Sequence, residues 1–305
     1  MPTCIIPAST KGTAVTPNPL ARRRRLSRAL VDLRDKAGYG HVELARRSGV
    51  TASVISRLES PSEPGRRPNV LHVRKLLDAL DVPRGSDEFI HIEKLAEDAA
   101  DSRWWDSHTY RAMGGGQRVF ALVELGAATI DEYAAGLLPG LVQTEEYARH
   151  RIAAGEEADV DVDAIVAGRL GRQRQLAEQG TTYRLVLEEH AVRRYPVPPA
   201  VMLDQLRHLL DLADRPQVSI RVLPVAADLG PGPAPRAPYA HISYPDPDDP
   251  PIVIIDGVGD PLLDTSESSV SGYARLCERL RRAALSDADS AALIHQVAGA
   301  LATTI

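Results

Sequence analysis

Cysteine is nearly missing from this 305-residue chain, which has only Cys4 and Cys277. Two thiols so far apart make neither a disulfide framework nor the clustered spacing of a zinc site. Lysine is scarce as well: four of the 36 basic residues are Lys and the rest are Arg. Aromatic side chains make up 4% of the sequence. No apolar run approaches the ~20 residues that a bilayer-spanning helix requires. The opening residues, MPTCIIPASTKGTAVTPNP, lack the charged-then-apolar order of a signal sequence. Catalytic motifs are also missing. The nine histidines show no HxxxH or HExxH spacing. Ser269-Val270-Ser271-Gly272 lacks the first glycine of a nucleophile elbow. Gly114-Gly115-Gly116 reads as a flexible loop and has no Lys-Ser/Thr behind it to make a phosphate loop. The expectation is a cytoplasmic, nucleoid-associated protein that is not an enzyme, with no cofactor, metal or membrane.

What is present is enough apolar residue, 44%, to build real cores. The length favours two domains over one. The net charge of -5 conceals an asymmetry: residues 1–75 hold 15 Lys or Arg against 5 Asp or Glu, and the remainder holds 21 against 36. A basic module on an acidic body is the electrostatic pattern of a nucleic-acid reader joined to a domain that does not touch nucleic acid.

The strongest signal is His41 to Glu59, HVELARRSGVTASVISRLE. Leu44, Val50, Ile55 and Leu58 recur at spacings that bring together one face of each of two short helices. Ala45 is small where those helices cross, Gly49 suits the left-handed turn, and the Thr51 hydroxyl is expected to cap the second helix. This order describes a helix-turn-helix, whose second helix enters the DNA major groove. The segment from about Leu26 to Val82 resembles the phage-repressor, or xenobiotic-response-element (XRE), class. Arg34 and Glu59 match a buried ion pair of that class, and an unrelated helical corner is the bland alternative. The resemblance implies an all-α, lambda-repressor-like domain that binds double-stranded DNA. Its expected DNA-facing residues are His41, Thr51, Ala52, Ser53, Ser56 and Arg57, with Arg66 and Arg67 at the tip of the following loop. Arg57 is placed to read guanine or to grip a phosphate. His41 stands where many relatives carry glutamine, which puts the usual backbone contact at that position in doubt.

The rest of the chain follows in order. Residues 1–20 are expected to be a flexible tail, 21–100 the helix-turn-helix domain and 101–305 a mixed α+β domain. Arg22 to Arg25 are either a solvated helix start or an arm for phosphate or the minor groove. Trp104 and Trp105 suit an interdomain packing anchor or a stacking platform. Pro139-Gly140 predicts a turn, with Thr144 capping a helix that turns Tyr147, Ala148 and Ile152 inward. Residues 162–179 predict a helix with Arg169, Arg172 and Arg174 mostly outward. Four β-rich runs are expected: 183–187, 218–223, 239–244 and 252–255. Asp246, Asp248, Asp249 and Asp256 lie near strand ends, as cation ligands or, more ordinarily, solvated loops.

The stretch LLPGLVQTEEYARHRI, together with RWWD, VELGAATIDEY and GRLGRQRQL, resembles the C-terminal domain of a large group of actinobacterial XRE regulators, the WhiJ-like, antitoxin-like regulators. That resemblance implies a transcriptional regulator that works as a homodimer and senses a ligand or partner through its C-terminal domain. The alternative is an antitoxin-like module that sequesters a small partner protein and autoregulates through DNA binding.

Overall fold

The computed structural model describes residues 17–60, 67–101, 115–155, 161–257 and 261–305. Five helices form the N-terminal unit: α1 (Pro19–Ala37), α2 (His41–Ser48), α3 (Ala52–Glu59), α4 (Val70–Ala79) and α5 (Asp87–Ala100). Their cores meet in one cluster in which Leu26, Leu30, Leu44, Ile55, Leu76 and Leu95 are buried. α5 completes the unit, with Ile92, Leu95 and Ala96 closing it against α1.

The second unit contains α6 (Gly115–Glu124), β1 (Thr129–Ala134), α7 (Glu145–Ala153), α8 (Val162–Gln179), β2 (Thr182–Glu188), α9 (Glu189–Arg193), α10 (Pro199–Ala213) and β3 (Val218–Leu223). It continues through β4 (Tyr239–Ser243), β5 (Ile252–Ile255), β6 (Leu262–Asp264), α11 (Glu267–Ala283) and α12 (Asp287–Ala302). The six-stranded sheet has the order β3-β2-β1-β4-β5-β6. β1, β2 and β3 run parallel, with helical crossovers between them; β4, β5 and β6 continue antiparallel. This is a helical domain followed by a mixed α+β domain.

Two strands, β1 and β6, are additional to the expected four. β1 escapes a hydrophobic-pattern reading because Asp131 and Glu132 sit in its middle. The structure satisfies both acids: Arg184 Nη2 donates to Asp131 at 2.6 Å, and the Tyr183 hydroxyl donates to Glu132 at 2.5 Å. Burial pushes the Glu132 carboxyl up to about 7, against the opposing Tyr183 hydrogen bond. Gly115 and Gly116, expected in a loop, instead begin α6, where a Cβ on Gly116 would lie 3.3 Å from Pro261 Cδ. The arginines of α8 are also not mostly outward. Arg172 is 7% exposed and forks both oxygens of Glu124, itself 4% exposed. Arg169 Nη1 donates to Gln143. Arg174 remains exposed, as expected.

The Pro-Gly segment behaves as the sequence suggests. Pro139 precedes a short 3-10 turn, and the Thr144 hydroxyl accepts from Tyr147 N–H. Tyr147 and Ala148 are buried, and Ile152 is half-buried. Gln173 donates to the carbonyls of Gly140 and Gln143, and Gln205 donates to that of Val142, so polar side chains take up this segment's backbone. Trp104 and Trp105 lie outside the described residues.

The two units share α1. Pro19 and Leu20, expected in the tail, form its first turn, and Leu20 and Ala21 are buried in the core of the α+β unit. Leu26 and Leu30, farther along the helix, belong to the other core. Asn18 is 1% exposed and joins the two. Its Oδ1 caps α1 by accepting from the amides of Leu20 and Ala21 at 2.9 and 3.0 Å. Its Nδ2 donates to the carbonyls of Leu122, Val123 and Leu125 at 2.8, 3.3 and 2.8 Å, closing the end of α6.

Two stability predictions follow from these burials. Asn18→Ala loses a cap and leaves buried carbonyls without a donor, and is expected to cost about 2–3 kcal/mol in urea titrations. Asn18→Asp keeps an excellent capping acceptor but sets a carboxylate against three carbonyls, so it should be no milder; recovery of stability by Asp would refute the double role. Glu132 binds its proton more tightly folded than unfolded, where carboxyls of its type titrate near ~4.3. Its ionisation penalty is therefore absent at low pH and complete above about 7. Glu132→Gln, which retains an acceptor for Tyr183, should be more stable than wild type at pH 8 by on the order of 2 kcal/mol, with the difference vanishing towards pH 4. A pH-independent difference would contradict this.

Candidate nucleic-acid interface

The turn between α2 and α3 is built by Gly49, at φ 68°, whose N–H returns to the Ala45 carbonyl at 2.9 Å. A side chain there would be strained in the left-handed region. Leu44 (1% exposed), Val50 (3%) and Ile55 (0%) anchor the pair to the core, and Leu58 packs against them. The outward side of α3 then carries Ser53, Ser56 and Arg57, all exposed, with Thr51 exposed just before it. Ala52 is half-buried rather than fully outward. Thr51 occupies the cap position with extended backbone, but its hydroxyl does not cap α3. It lies 3.2 Å from the Ser53 hydroxyl instead. The sequence order predicts the capping position correctly but not the rotamer: a hydroxyl beside a second hydroxyl has a competing partner.

Behind this surface, the Glu59 carboxylate holds two side chains. Arg34 Nε donates to both of its oxygens, at 2.8 and 3.1 Å, and the hydrogen bond raises the guanidinium pKa. Glu59 is 6% and Arg34 16% exposed, so the pair is largely removed from water. His41 Nε2 lies 2.8 Å from Glu59 Oε2 while the ring stays 40% exposed. The imidazole at the start of α2 is therefore held by this carboxylate, a contact not anticipated from the sequence. Arg34 Nη1 also donates to the Tyr39 carbonyl, tying the connection between α1 and α2 to the same network. On the end of α2, Glu43 accepts from Arg46 and Arg47, and the Arg47 guanidinium lies 4.4 Å from the centre of the Tyr39 ring. Arg67 is exposed on the loop after α3, and Arg66 lies outside the described residues.

The basic run at 22–25 is neither a solvated start nor an open arm. Arg22 approaches Asp246 at 2.9 Å and Asp249 at 3.0 Å; Arg25 pairs with Asp246 at 2.8 Å and Asp248 at 2.7 Å. Arg24 donates to the carbonyls of Pro251 and Thr265. Three of the four aspartates read from the sequence as cation ligands or solvated groups, Asp246, Asp248 and Asp249, thus bind α1, while Asp256 stays exposed. The signal was present as two complementary runs, RRRR and DPDDP, but nothing in their spacing says that they meet.

Glu59→Ala is expected to leave the Arg34 charge uncompensated and to destabilise the N-terminal unit by about 3 kcal/mol. Far-UV circular dichroism melting reads this directly, and a variant that melts like wild type would remove Glu59 from the structural core of the motif.

Comparison with known proteins agrees with both halves of this description. Residues 30–85 match the helix-turn-helix family, and residues 117–296 match a domain of unknown function, DUF5753. No curated protein and no solved structure matches the chain. Among the described residues no helix is long and apolar enough to cross a membrane. The second match spans more than half of the chain, so the protein belongs to the DUF5753 family and carries an XRE-type, DNA-binding helix-turn-helix domain in front of that domain.

Proposed function

We propose that the protein is a sequence-specific transcriptional regulator whose helix-turn-helix reads an operator and whose α+β domain dimerises and senses a ligand or partner protein. The observation that carries this reading is the exposure of Ser53, Ser56 and Arg57 on one side of α3, while Ile55 on the other side is sealed in the core. Of these, Arg57 alone has the fork that recognises guanine O6 and N7 together. The serines supply shorter contacts to base edges or phosphates, and Thr51 and Arg67 lie where phosphate contacts would set register. His41, engaged by Glu59, contributes through any donor capacity left at its exposed edge. One such unit covers few bases, so two half-sites read by a homodimer are the economical arrangement. The acidic balance of the remaining chain supports a domain that stays off the DNA.

The test begins with selection of bound sequences from random DNA, followed by fluorescence anisotropy on the selected and scrambled sites. Arg57→Ala should lose about 1–3 kcal/mol of discrimination, roughly 5- to 150-fold, while retaining salt-dependent binding to any duplex. Equal affinity of the wild type for all sequences would reject a sequence-specific regulator. Stoichiometric co-purification of a small partner that abolishes DNA binding would favour the antitoxin-like alternative.

A further inference from the structure

β3 is an edge strand of the sheet. Alternate residues of such a strand turn their N–H and C=O to the neighbouring strand, and those between turn them away. Tyr183 N–H donates to the Gln217 carbonyl at 2.8 Å, so Gln217, Ser219 and Arg221 face β2, whereas Val218, Ile220 and Val222 face outward. This outer edge is held at both ends. Val222 N–H donates to the Ser290 hydroxyl, and the Val222 carbonyl accepts from Leu285 N–H, each at 2.9 Å. Val218 N–H donates to the Arg215 carbonyl at 3.0 Å. Between them Ile220 is 1% exposed, and neither its N–H nor its carbonyl has a hydrogen-bond partner among the described residues. Buried backbone groups are almost always paired, because an unpaired one forfeits the hydrogen bond it makes to water.

A cavity of about 270 Å³ opens at Ile220, between the last turn of α10 and the first turns of α12. Leu210 and Ala213 on one side and Ala288 and Ala291 on the other give it apolar walls, with His295 one turn beyond. Small-molecule sites are commonly ~300–1,000 Å³, apolar with a few placed polar groups, so this cavity suits a ligand at the small end of that range. Its two charged rims differ. The start of α12, the positive pole of that helix, is answered by Asp287, which accepts from the Ser219 hydroxyl at 2.5 Å and pairs with Arg221 at 3.0 Å. The end of α10, a negative pole, carries Asp214, exposed and in no ion pair among the described residues. That rim favours a cation.

A backbone donor, a backbone acceptor, apolar walls and a carboxylate at the mouth complement an amide that carries an apolar side chain and an ammonium group. We propose that the cavity between α10, β3 and α12 binds a small aminoacyl amide. Its amide carbonyl and N–H pair with the N–H and carbonyl of Ile220, its side chain lies between the α10 and α12 walls, and its ammonium meets Asp214. The ligand thereby adds a single residue to the sheet edge, a short form of strand addition. A longer extended segment would collide with Leu285 and Ser290, which hold the edge at Val222. A free amino acid fits less well, since its carboxylate offers no N–H to the Ile220 carbonyl and would face Asp214 and Asp287. The proposal rests on the reading of the α+β domain as a sensor and gives that domain a ligand class.

The test is binding to the full-length protein in the absence of DNA, with the amides of leucine, valine, phenylalanine and methionine as probes. The corresponding free acids are one control; isopentylamine and phenethylamine, which lack the amide, are the other. At ten times Kd, at least one amide should raise the melting temperature by roughly 3–5 °C and slow hydrogen exchange at the Ile220 N–H about tenfold. Asp214→Asn removes the partner of the ammonium, and Ala288→Leu fills the cavity from its wall; each should weaken binding about tenfold. Both positions are exposed, so the unliganded variants should melt near wild type. No response to any amide, an equal response to the acids or the amines, unchanged exchange at Ile220, or a full response in either variant would overturn the assignment. Failure here with intact operator selectivity removes only the ligand site, whereas loss of operator selectivity with intact amide binding removes the regulator reading and leaves the site standing.

Discussion

The side chain of Asn18 is the joint on which the arrangement of the two units depends. A primary amide carries an acceptor and two donors, and here all of them are used. The acceptor starts α1 while the donors close α6, so one buried group supplies the missing partners for two helix ends at once. The burial of Asn18 would be costly if any of these bonds were lost. With all of them made, burial instead fixes the direction in which α1 leaves the α+β unit. Because Leu20 and Ala21 pack in one core and Leu26 and Leu30 in the other, the continuous helix transmits that direction to the helix-turn-helix.

Electrostatics reinforces the joint and changes the meaning of the sequence's charge asymmetry. The basic excess of residues 1–75 reads as a surface prepared for phosphate. Part of it is committed internally, since Arg22, Arg24 and Arg25 contact the loop 246–251 and Thr265 of the acidic unit. Ion pairs of this kind add little net stability, because desolvation offsets attraction. Their value lies in specificity: a guanidinium that leaves Asp249, 4% exposed, strands a buried carboxylate, so the orientation of α1 is held against alternatives. The outward side of α3 keeps only a few exposed polar side chains, Ser53, Ser56 and Arg57.

How far the sequence could be read follows the same physics. The helix-turn-helix was legible because its order rests on local rules: a glycine where φ is positive, apolar anchors at helical spacing, and a charged pair that family resemblance supplied. The six-stranded sheet was only partly legible. β2 to β5 announce themselves through runs of Val, Ile, Leu and Tyr, whereas β1 hides behind Asp131 and Glu132, whose partners Arg184 and Tyr183 lie some fifty residues away. Arg172 was misplaced for a related reason. On a helix rich in polar residues, nothing local distinguishes an arginine that faces Glu124 from one that faces water. Pairings distant in sequence, such as the arginine run of α1 with Asp246 to Asp249, are tertiary facts that composition permits but does not specify.

The two polar features converge on α6. Its last turn holds Glu124, whose carboxylate is forked by the buried Arg172, and its terminal carbonyls are held by Asn18. A shift of α8 that altered the Arg172 contact would act on the same helix end that Asn18 joins to α1. Its energetic scale is suitable. Coupling free energies between sites are typically about 1–3 kcal/mol, comparable with the contribution of one or two hydrogen bonds at such a joint. A connection built from apolar burial alone would be graded and difficult to switch. One built from a fully satisfied amide has few ways to rearrange without stranding a donor or acceptor.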